Sequence, residues 1–401
     1  MSKNETTKPG ALDGIRVLDI THVMAGPYCA MLMGDLGADV IKVESPSGDQ
    51  ARHMAGKVGS DSFGFNSVNR GKRGIIVDLR KPEGQEIIRR LAQTADVLIE
   101  NNRPGMMAKY GLDYATLSAL NPKLIYASIS GFGQTGPYAS KGGFDLVAQG
   151  ISGIMSVTGE PGRPPARAGV PVVDLGAGLF ALVGILAALH HRGRTGEGQH
   201  VDTALLDTGL ALSIWETSEY FSGSGIPQRL GSAHRVIAPY QAIVCADGYI
   251  TLGVANDRLF LQVSEVLGHP EWATSELYST NAARLKHRTQ LAAEIETITA
   301  SRTRAHWIER FEEMGIPCGP INNYEESLAD PQVAARCMVV EVDHPTLGKI
   351  KTLGSAIKLS ATPTLVERTA PLLGEHTALV LNELGYSKDE IAVLHAAEAI
   401  R

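Results

Sequence analysis

Five short runs of β-branched and other apolar residues, spread over the first 130 positions, constrain this chain more than any other feature. They are Ile15–Ile20 (IRVLDI), Asp39–Glu44 (DVIKVE), Gly74–Leu79 (GIIVDL), Asp96–Glu100 (DVLIE) and Leu124–Ser130 (LIYASIS). Runs of roughly four to eight such residues, bounded by turn signals, read as buried strands. Between the first two, Gly26-Pro27 marks a turn, and Cys29–Leu36 reads as a helix that Gly37 stops. Pro82 opens a helix over Glu83–Ala95, because proline is tolerated in a first helical turn. Strands alternating with helices predict an α/β unit with a largely parallel sheet. Such sheets bind ligands beyond the carboxyl ends of their strands.

The middle of the chain changes character. Asp174–His191 reads as a long apolar helix. Its apolar run, Leu175–Leu189, falls short of the about 20 residues that a membrane span needs. Asp174 precedes the run, and His190, His191 and Arg192 follow it, so a buried core helix is predicted. The turn cluster Gly193–Gly198 (GRTGEG) leads into a strand over Gln199–Ala204. Residues Ser222–Gly231 are rich in Gly and Ser and read as a linker. Beyond them lie strands at Tyr240–Val244 and Tyr249–Val254 and helices at Asp257–Leu267 and Leu291–Met314, the content of a smaller α+β domain. Val339–Leu353 reads as two strands around the turn HPTLG. The predicted division is 1–225, 226–330 and 331–401.

Net charge is −6 over 401 residues, which weighs against nucleic acid as a partner, since phosphate-backbone binders carry a basic excess. The start, MSKNETTKPG, is polar, lacks an apolar signal core and reads as disordered. Cys29, Cys245, Cys318 and Cys337 form no CxxC pair. They read as buried thiols of a reducing compartment, which places the chain in the cytoplasm, away from any membrane.

Chemistry is harder to find by pattern. There is no GxGxxG, GxSxG or HExxH, and the scattered histidines show no metal spacing. Arg70, Lys72, Arg73 and Arg80, with Arg103 and Lys109, form either a solvated basic face or an anion site. Asp174, at the head of the apolar helix, reads as a helix cap. The cap role does not exclude a second one, as a carboxylate kept ionised by the helix dipole and able to act as a nucleophile. From these features alone the chain is an α/β enzyme of open reaction.

Longer blocks resemble a known family. LDGIRVLDITHVMAGPYCAMLMGDLGADVIKVESPSGD (Leu12–Asp49), NRGKRGIIVDLRKPEG (Asn69–Gly84), DVLIENNRPG (Asp96–Gly105) and SISGFGQTGP (Ser128–Pro137) are similar to the signature blocks of the class III CoA-transferases, the CaiB/BaiF type. So are GGFDLVAQGISGIMSVTG (Gly142–Gly159), TGEGQHVDTALLD (Thr195–Asp207), GIPCGPI (Gly315–Ile321), DHPTLGKI (Asp343–Ile350) and PLLGEHT (Pro371–Thr377). The resemblance implies a Rossmann-like large domain built from both chain ends, with 331–401 returning to it. It also implies a smaller domain and a homodimer whose subunits interlock.

It further implies an enzyme that takes acyl-CoA and a small carboxylic acid as substrates, with no tightly bound cofactor and no metal. The family's covalent aspartate falls on Asp174 in PVVDLGAGLF. The CoA contacts fall on Met24 and Ala25, on Val77, Asp78, Leu79 and Arg80, on Asn101, Asn102 and Arg103, on Lys109, and on Gly142, Gly143, Phe144 and Asp145. Arg80 and Lys109 are the implied phosphate partners. Met24 stands where formyl-CoA transferases carry a glutamine, and Ser45 where they carry an arginine.

Within the family, α-methylacyl-CoA racemases place a proton-transferring histidine where this chain has Phe144, which cannot move a proton and reads as a core aromatic. Formyl-CoA:oxalate transferases carry a glycine run that is absent here. GSAHRVIAPYQAI (Gly231–Ile243) and GPINN (Gly319–Asn323) resemble the succinate–hydroxymethylglutarate branch instead. That implies succinyl-CoA as donor and a small dicarboxylate as acceptor, with His234 or Arg235 meeting the distal carboxylate; the alternative for both is a surface position.

Overall fold

The computed structural model describes residues 9–59 and 61–401; the disorder expected of MSKNETTK lies outside the described residues. Six strands form one sheet: β1 (Arg16–Ile20), β2 (Asp39–Glu44), β3 (Arg73–Ile76), β4 (Val97–Glu100), β5 (Ile125–Ser130) and β6 (His200–Ala204). Their order is β3-β2-β1-β4-β5-β6, and every neighbouring pair is parallel. The chain builds outward from β1 to β3, then crosses back to lay β4 on the other side of β1. At such a reversal, loops from adjacent strands diverge and leave a crevice.

The described residues form two compact units. The larger holds those up to Ile154 together with Ala168–Ser218 and Gln332–Arg401. The smaller holds Met155–Arg167 and Glu219–Pro331, so 155–167 and 219–225, assigned to the large domain from sequence, fall in the smaller one. In the larger unit the helices include α1 (Ala25–Asp35), α2 (Pro82–Thr94), α3 (Asp145–Ile151), α4 (Val172–Thr195) and α5 (Leu205–Leu212). The smaller unit pairs β7 (Tyr240–Cys245), β8 (Gly248–Gly253) and β9 (Cys318–Pro320) antiparallel with β8 central. Helices α6 (Asp257–Val266), α7 (Arg288–Thr299) and α8 (Arg304–Glu313) accompany this sheet. The single helix expected over Leu291–Met314 is two, because Thr303 starts the second by accepting from the His306 N–H. The returning chain forms a hairpin, β10 (Val339–His344) and β11 (Gly348–Leu353), then α9 (Thr377–Glu383) and α10 (Lys388–Ala396).

Period-two alternation sorts the strand residues onto two faces. Val17, Val40, Val97, Ile99, Ile125, Ala127 and Ile129 share a core with α1 and α4. Leu18, Ile20, Ile41, Val43, Ile75, Leu98 and Tyr126 share one with α2 and the two C-terminal helices. A sheet buried on both faces accounts for the nearly continuous apolar strands.

Four sequence readings need correction. Gly26-Pro27 lies inside α1, with Pro27 in the first turn, where a missing N–H leaves no helical bond unmade. The helix expected from Asp174 begins at Val172 and runs to Thr195, ending at a left-handed Gly196. It is only half a core helix. Val173, Ala177, Ala181, Ile185 and Ala188 are buried, but Val183 is 63% exposed, and Leu179 and Phe180 are also open. Of the thiols expected to be buried, Cys29 and Cys245 are; Cys318 is half-buried and Cys337 exposed.

Candidate active site

The carboxyl ends of β1, β4, β5 and β6 surround a cavity of about 240 Å³. From the β1 end come His22, Val23, Met24 and Ala25; from β4, Asn101, Asn102, Arg103 and Pro104; from β5, Ile129, Ser130 and Gly131; from β6, Leu205. Lys141, Gly142, Gly143 and Phe144 complete the wall, and Asp174 lies within it. The cavity therefore sits at the topological switch between β1 and β4, where this sheet order places a ligand.

Two close backbone approaches shape it. A Cβ on Gly143 would lie 2.5 Å from the Gly131 Cα, so these segments meet main chain to main chain. A Cβ on Gly178 would lie 2.7 Å from the Ala25 carbonyl oxygen. Only glycine at 178 lets α4 pack this closely on α1, bringing the starts of both helices to the same cavity.

Asp174 is not the cap of α4. Pro171 holds that position, and Asp174 is in the first turn. The capping oxygen comes from Asp145, whose Oδ1 accepts from the Val173 N–H at 3.0 Å and the Asp174 N–H at 3.2 Å. Gln149 Nε2 donates to the other Asp145 oxygen at 2.6 Å. Asp145 thus serves the helix start rather than the cavity wall. Nor does the helix dipole decide the state of Asp174. Burial first, and the like charge of Asp145 second, push its carboxyl up to about 6. A carboxylate with that basicity is still ionised near neutral pH and is a better nucleophile than an ordinary one.

Apart from Asp145, the residues expected to contact CoA divide into three groups. Met24, Ala25, Asn101, Asn102, Arg103, Gly142, Gly143 and Phe144 line the cavity with Asp174. Phe144 is 76% exposed, so it is no core aromatic. Val77, Asp78, Leu79 and Arg80 follow β3, away from that wall. There the Val77 N–H donates to the Glu44 carbonyl and the Asp78 N–H to the Ala399 carbonyl. Arg80 projects into solvent, its guanidinium gripping Asp78 at 2.7 Å. Lys109 ends the short helix Met106–Lys109 and is exposed.

The remaining basic residues are structural. Arg70 pairs with Asp35 at 2.6 Å, Lys72 with Asp19 at 2.8 Å, and Arg73 with Asp39 at 2.6 Å and Glu383 at 2.7 Å. They are neither a solvated face nor an anion site.

His234 and Arg235 belong to the smaller unit. The His234 ring lies 5.1 Å from that of Tyr240, and Arg235 Nη2 donates to the Gln228 carbonyl at 2.9 Å. Sequence reasoning missed His22, Val23, Pro104, Ile129, Ser130, Gly131, Lys141 and Leu205. For all but Lys141, a position at or near a strand's carboxyl end was the available signal. His22 is held below its ordinary value by burial and then by Lys42. Among the described residues no group of three or more His, Cys, Asp or Glu side chains could hold a metal.

Comparison with known proteins fits this geometry. The chain matches CoA-transferase family III over residues 12–377. It belongs to that family. Among its relatives is the succinate–glutarate CoA-transferase of Agrobacterium fabrum, 45% identical over 93% of this chain and 95% of the relative. The human succinyl-CoA:glutarate CoA-transferase is 40% identical over 97% of this chain and 90% of the relative. A crystal structure of a CaiB/BaiF family protein from Brucella suis superposes with a TM-score of 0.85 at 41% identity, over 94% of this chain and all of that one. This CoA-transferase is therefore an enzyme of acyl-CoA chemistry with a mixed α/β fold around a parallel sheet.

Proposed function

We propose that this CoA-transferase moves CoA from succinyl-CoA to a short dicarboxylate of the glutarate class, with Asp174 as the covalent carrier. The observation that carries the reading is a single half-buried carboxylate facing the strand-end cavity, its basicity raised and its helix start capped by another residue. The donor and acceptor classes rest on the names of the relatives at 40–45% identity.

The Asp174 carboxylate attacks the thioester carbonyl; the C–S bond breaks, giving an acyl–aspartyl anhydride and CoA thiolate. The thiolate attacks the aspartyl carbonyl, releasing the donor acid and leaving an aspartyl–CoA thioester. An acceptor carboxylate attacks that thioester and again frees the thiolate, which then takes the acceptor acyl group and restores Asp174. One thioester replaces another, so little driving force is needed. Each addition places charge on oxygen, which calls for preorganised donors. Met24, Ala25, Gly142, Gly143 and Phe144 line the cavity beside Asp174.

The sheet order β3-β2-β1-β4-β5-β6 supports a Rossmann-like reading of the larger unit. Its exposed Val183, Ile214 and Trp215, at 63%, 70% and 61%, support burial in a homodimer.

The test is a panel of acceptors with succinyl-CoA, joined to hydroxylamine trapping and mass spectrometry. Glutarate-length diacids are expected to outpace monocarboxylates, and the hydroxamate is expected on Asp174. Preference for formyl-CoA with oxalate, or an adduct on another residue, would overturn the reading.

A further inference from the structure

Between β1 and α1 the backbone makes a turn that its own residues disfavour. Val23 sits at a φ of 66°, in the left-handed region, where a β-branched side chain is an outlier. Such a conformation persists only where the surroundings over-determine it. Here side chains from three other segments do so. Lys42 Nζ donates to the Thr21 carbonyl at 3.0 Å. Asn101 brackets His22, accepting from its N–H and donating to its carbonyl, both at 2.8 Å. The Val23 N–H donates to the Asp49 carboxylate, 3.2 Å from Oδ1 and 3.3 Å from Oδ2.

Asp49 is 1% exposed and absent from the cavity wall. It is kept ionised by fully buried Lys42, 3.0 Å away, and takes another bond from the Ala51 N–H at 2.9 Å. Lys42 in turn faces Asp19 and Glu44 as well as Asp49. Desolvation offsets much of what such buried pairs gain, so they are a weak source of stability. What this one does visibly is hold a strained turn. The next residues, Met24 and Ala25, begin α1 and face Asp174 across the cavity.

We propose that Asp49 is a positioning residue for acyl transfer: by locking Val23 in the left-handed conformation it sets the first turn of α1 opposite Asp174. The role rests on Asp174 being the acyl carrier. Substitution Asp49→Asn keeps the shape but removes the charge that grips the Val23 N–H. Single-turnover labelling of Asp174 by succinyl-CoA is then expected to slow by about 10- to 100-fold, the scale set by small misplacements at a reacting centre, while KM for the thioester changes little. Val23→Gly alone sets the reference rate for a turn that needs no lock. Against that reference, Val23→Gly in the Asp49→Asn background is expected to recover most of the loss, because glycine accepts positive φ at no steric cost.

A purely structural Asp49 would lower the folded fraction and show no such rescue. An unchanged labelling rate in folded Asp49→Asn, or failure of Val23→Gly to restore it, overturns the proposal. Where Asp49→Asn does not fold, Val23→Pro makes the same distinction. It leaves every charge in place, forbids positive φ and removes the N–H that Asp49 holds; the same slowing supports the role of Asp49, and a wild-type rate overturns it. Wild-type protein that labels elsewhere than Asp174 overturns the carrier assignment itself, a result separate from either variant's.

Discussion

A carboxylate half-buried at a helix start, as Asp174 is, carries a thermodynamic cost, and the proposed covalent role would account for it. The Asp174 carboxyl is pushed from 3.8 to about 6, by burial and then by Asp145. Its folded-state affinity for a proton therefore exceeds that of the unfolded chain. The stability this group contributes is full below about pH 4 and is lost as pH rises through about 6. At pH 8 the ionised, half-desolvated carboxylate works against folding. Asp174→Asn is thus expected to be inactive yet more stable than wild type at pH 8, by on the order of 1–3 kcal/mol. The gap should close as pH falls toward 4. Urea unfolding at pH 5 and pH 8 measures this, and a variant less stable than wild type at pH 8 would refute it. If Asp174 is the proposed nucleophile, the same titration predicts that wild-type turnover falls away below about pH 6, where its carboxylate takes up a proton. Sacrificing stability at a working residue is a common exchange in enzymes.

The helix starts carry the site, and their spacing depends on one missing side chain. Gly178 lies where a Cβ would meet the Ala25 carbonyl oxygen at 2.7 Å, and main chain cannot swing aside as a flexible side chain can. Gly178→Ala is expected to push α4 off α1, costing about 1–3 kcal/mol through overpacking. Asp174 then moves relative to Met24 and Ala25, and transfer should slow by at least about tenfold. Thermal melts and kcat read the two effects separately; a variant with wild-type kcat would show that the crossing does not set the geometry.

This is also the scale at which sequence and structure part. Strand positions were legible because both sheet faces are buried, so β1 to β5 read as nearly continuous apolar runs bounded by turns. Wall residues that follow strands, such as Met24, Asn101, Asn102 and Arg103, were reachable for that reason. The partners were not. Asp145 caps a helix that starts 27 positions later in the chain, and Asn101 grips His22 across 79 positions. Fully buried Lys72 read as part of a solvated face or an anion site because no pattern in one sequence announces Asp19 beside it. Asp174 itself looked like a cap until family resemblance distinguished it, since a carboxylate in a first helical turn has the same spacing in either role.

At the scale of the whole molecule, the end of the chain finishes what its beginning starts. Residues 332–401 belong to the same compact unit as the first strands. Tyr386, Ile391, Leu394, Ala399 and Ile400 share a core with Leu18, Ile41, Ile75 and Leu98, covering the sheet face that α1 and α4 leave open. The main chain is tied there too, since the Asp78 N–H donates to the Ala399 carbonyl. Burying each of the four larger side chains is worth ~1.5–3 kcal/mol, so together they supply on the order of 10 kcal/mol. A domain's whole net stability is about 5–15 kcal/mol. Removing the residues after Gly385 is therefore expected to abolish cooperative unfolding of the larger unit, not merely lower its melting temperature, and to take activity with it. The smaller unit has its own core in Ile243, Ile250, Phe260, Ile295 and Phe311. Residual ellipticity with lost near-ultraviolet signal from the larger unit is the outcome to look for by circular dichroism. A truncated chain that melts like the full one would mean that α2 and α9 suffice to close the second face of the parallel sheet, and that the final helix is packing the enzyme can do without.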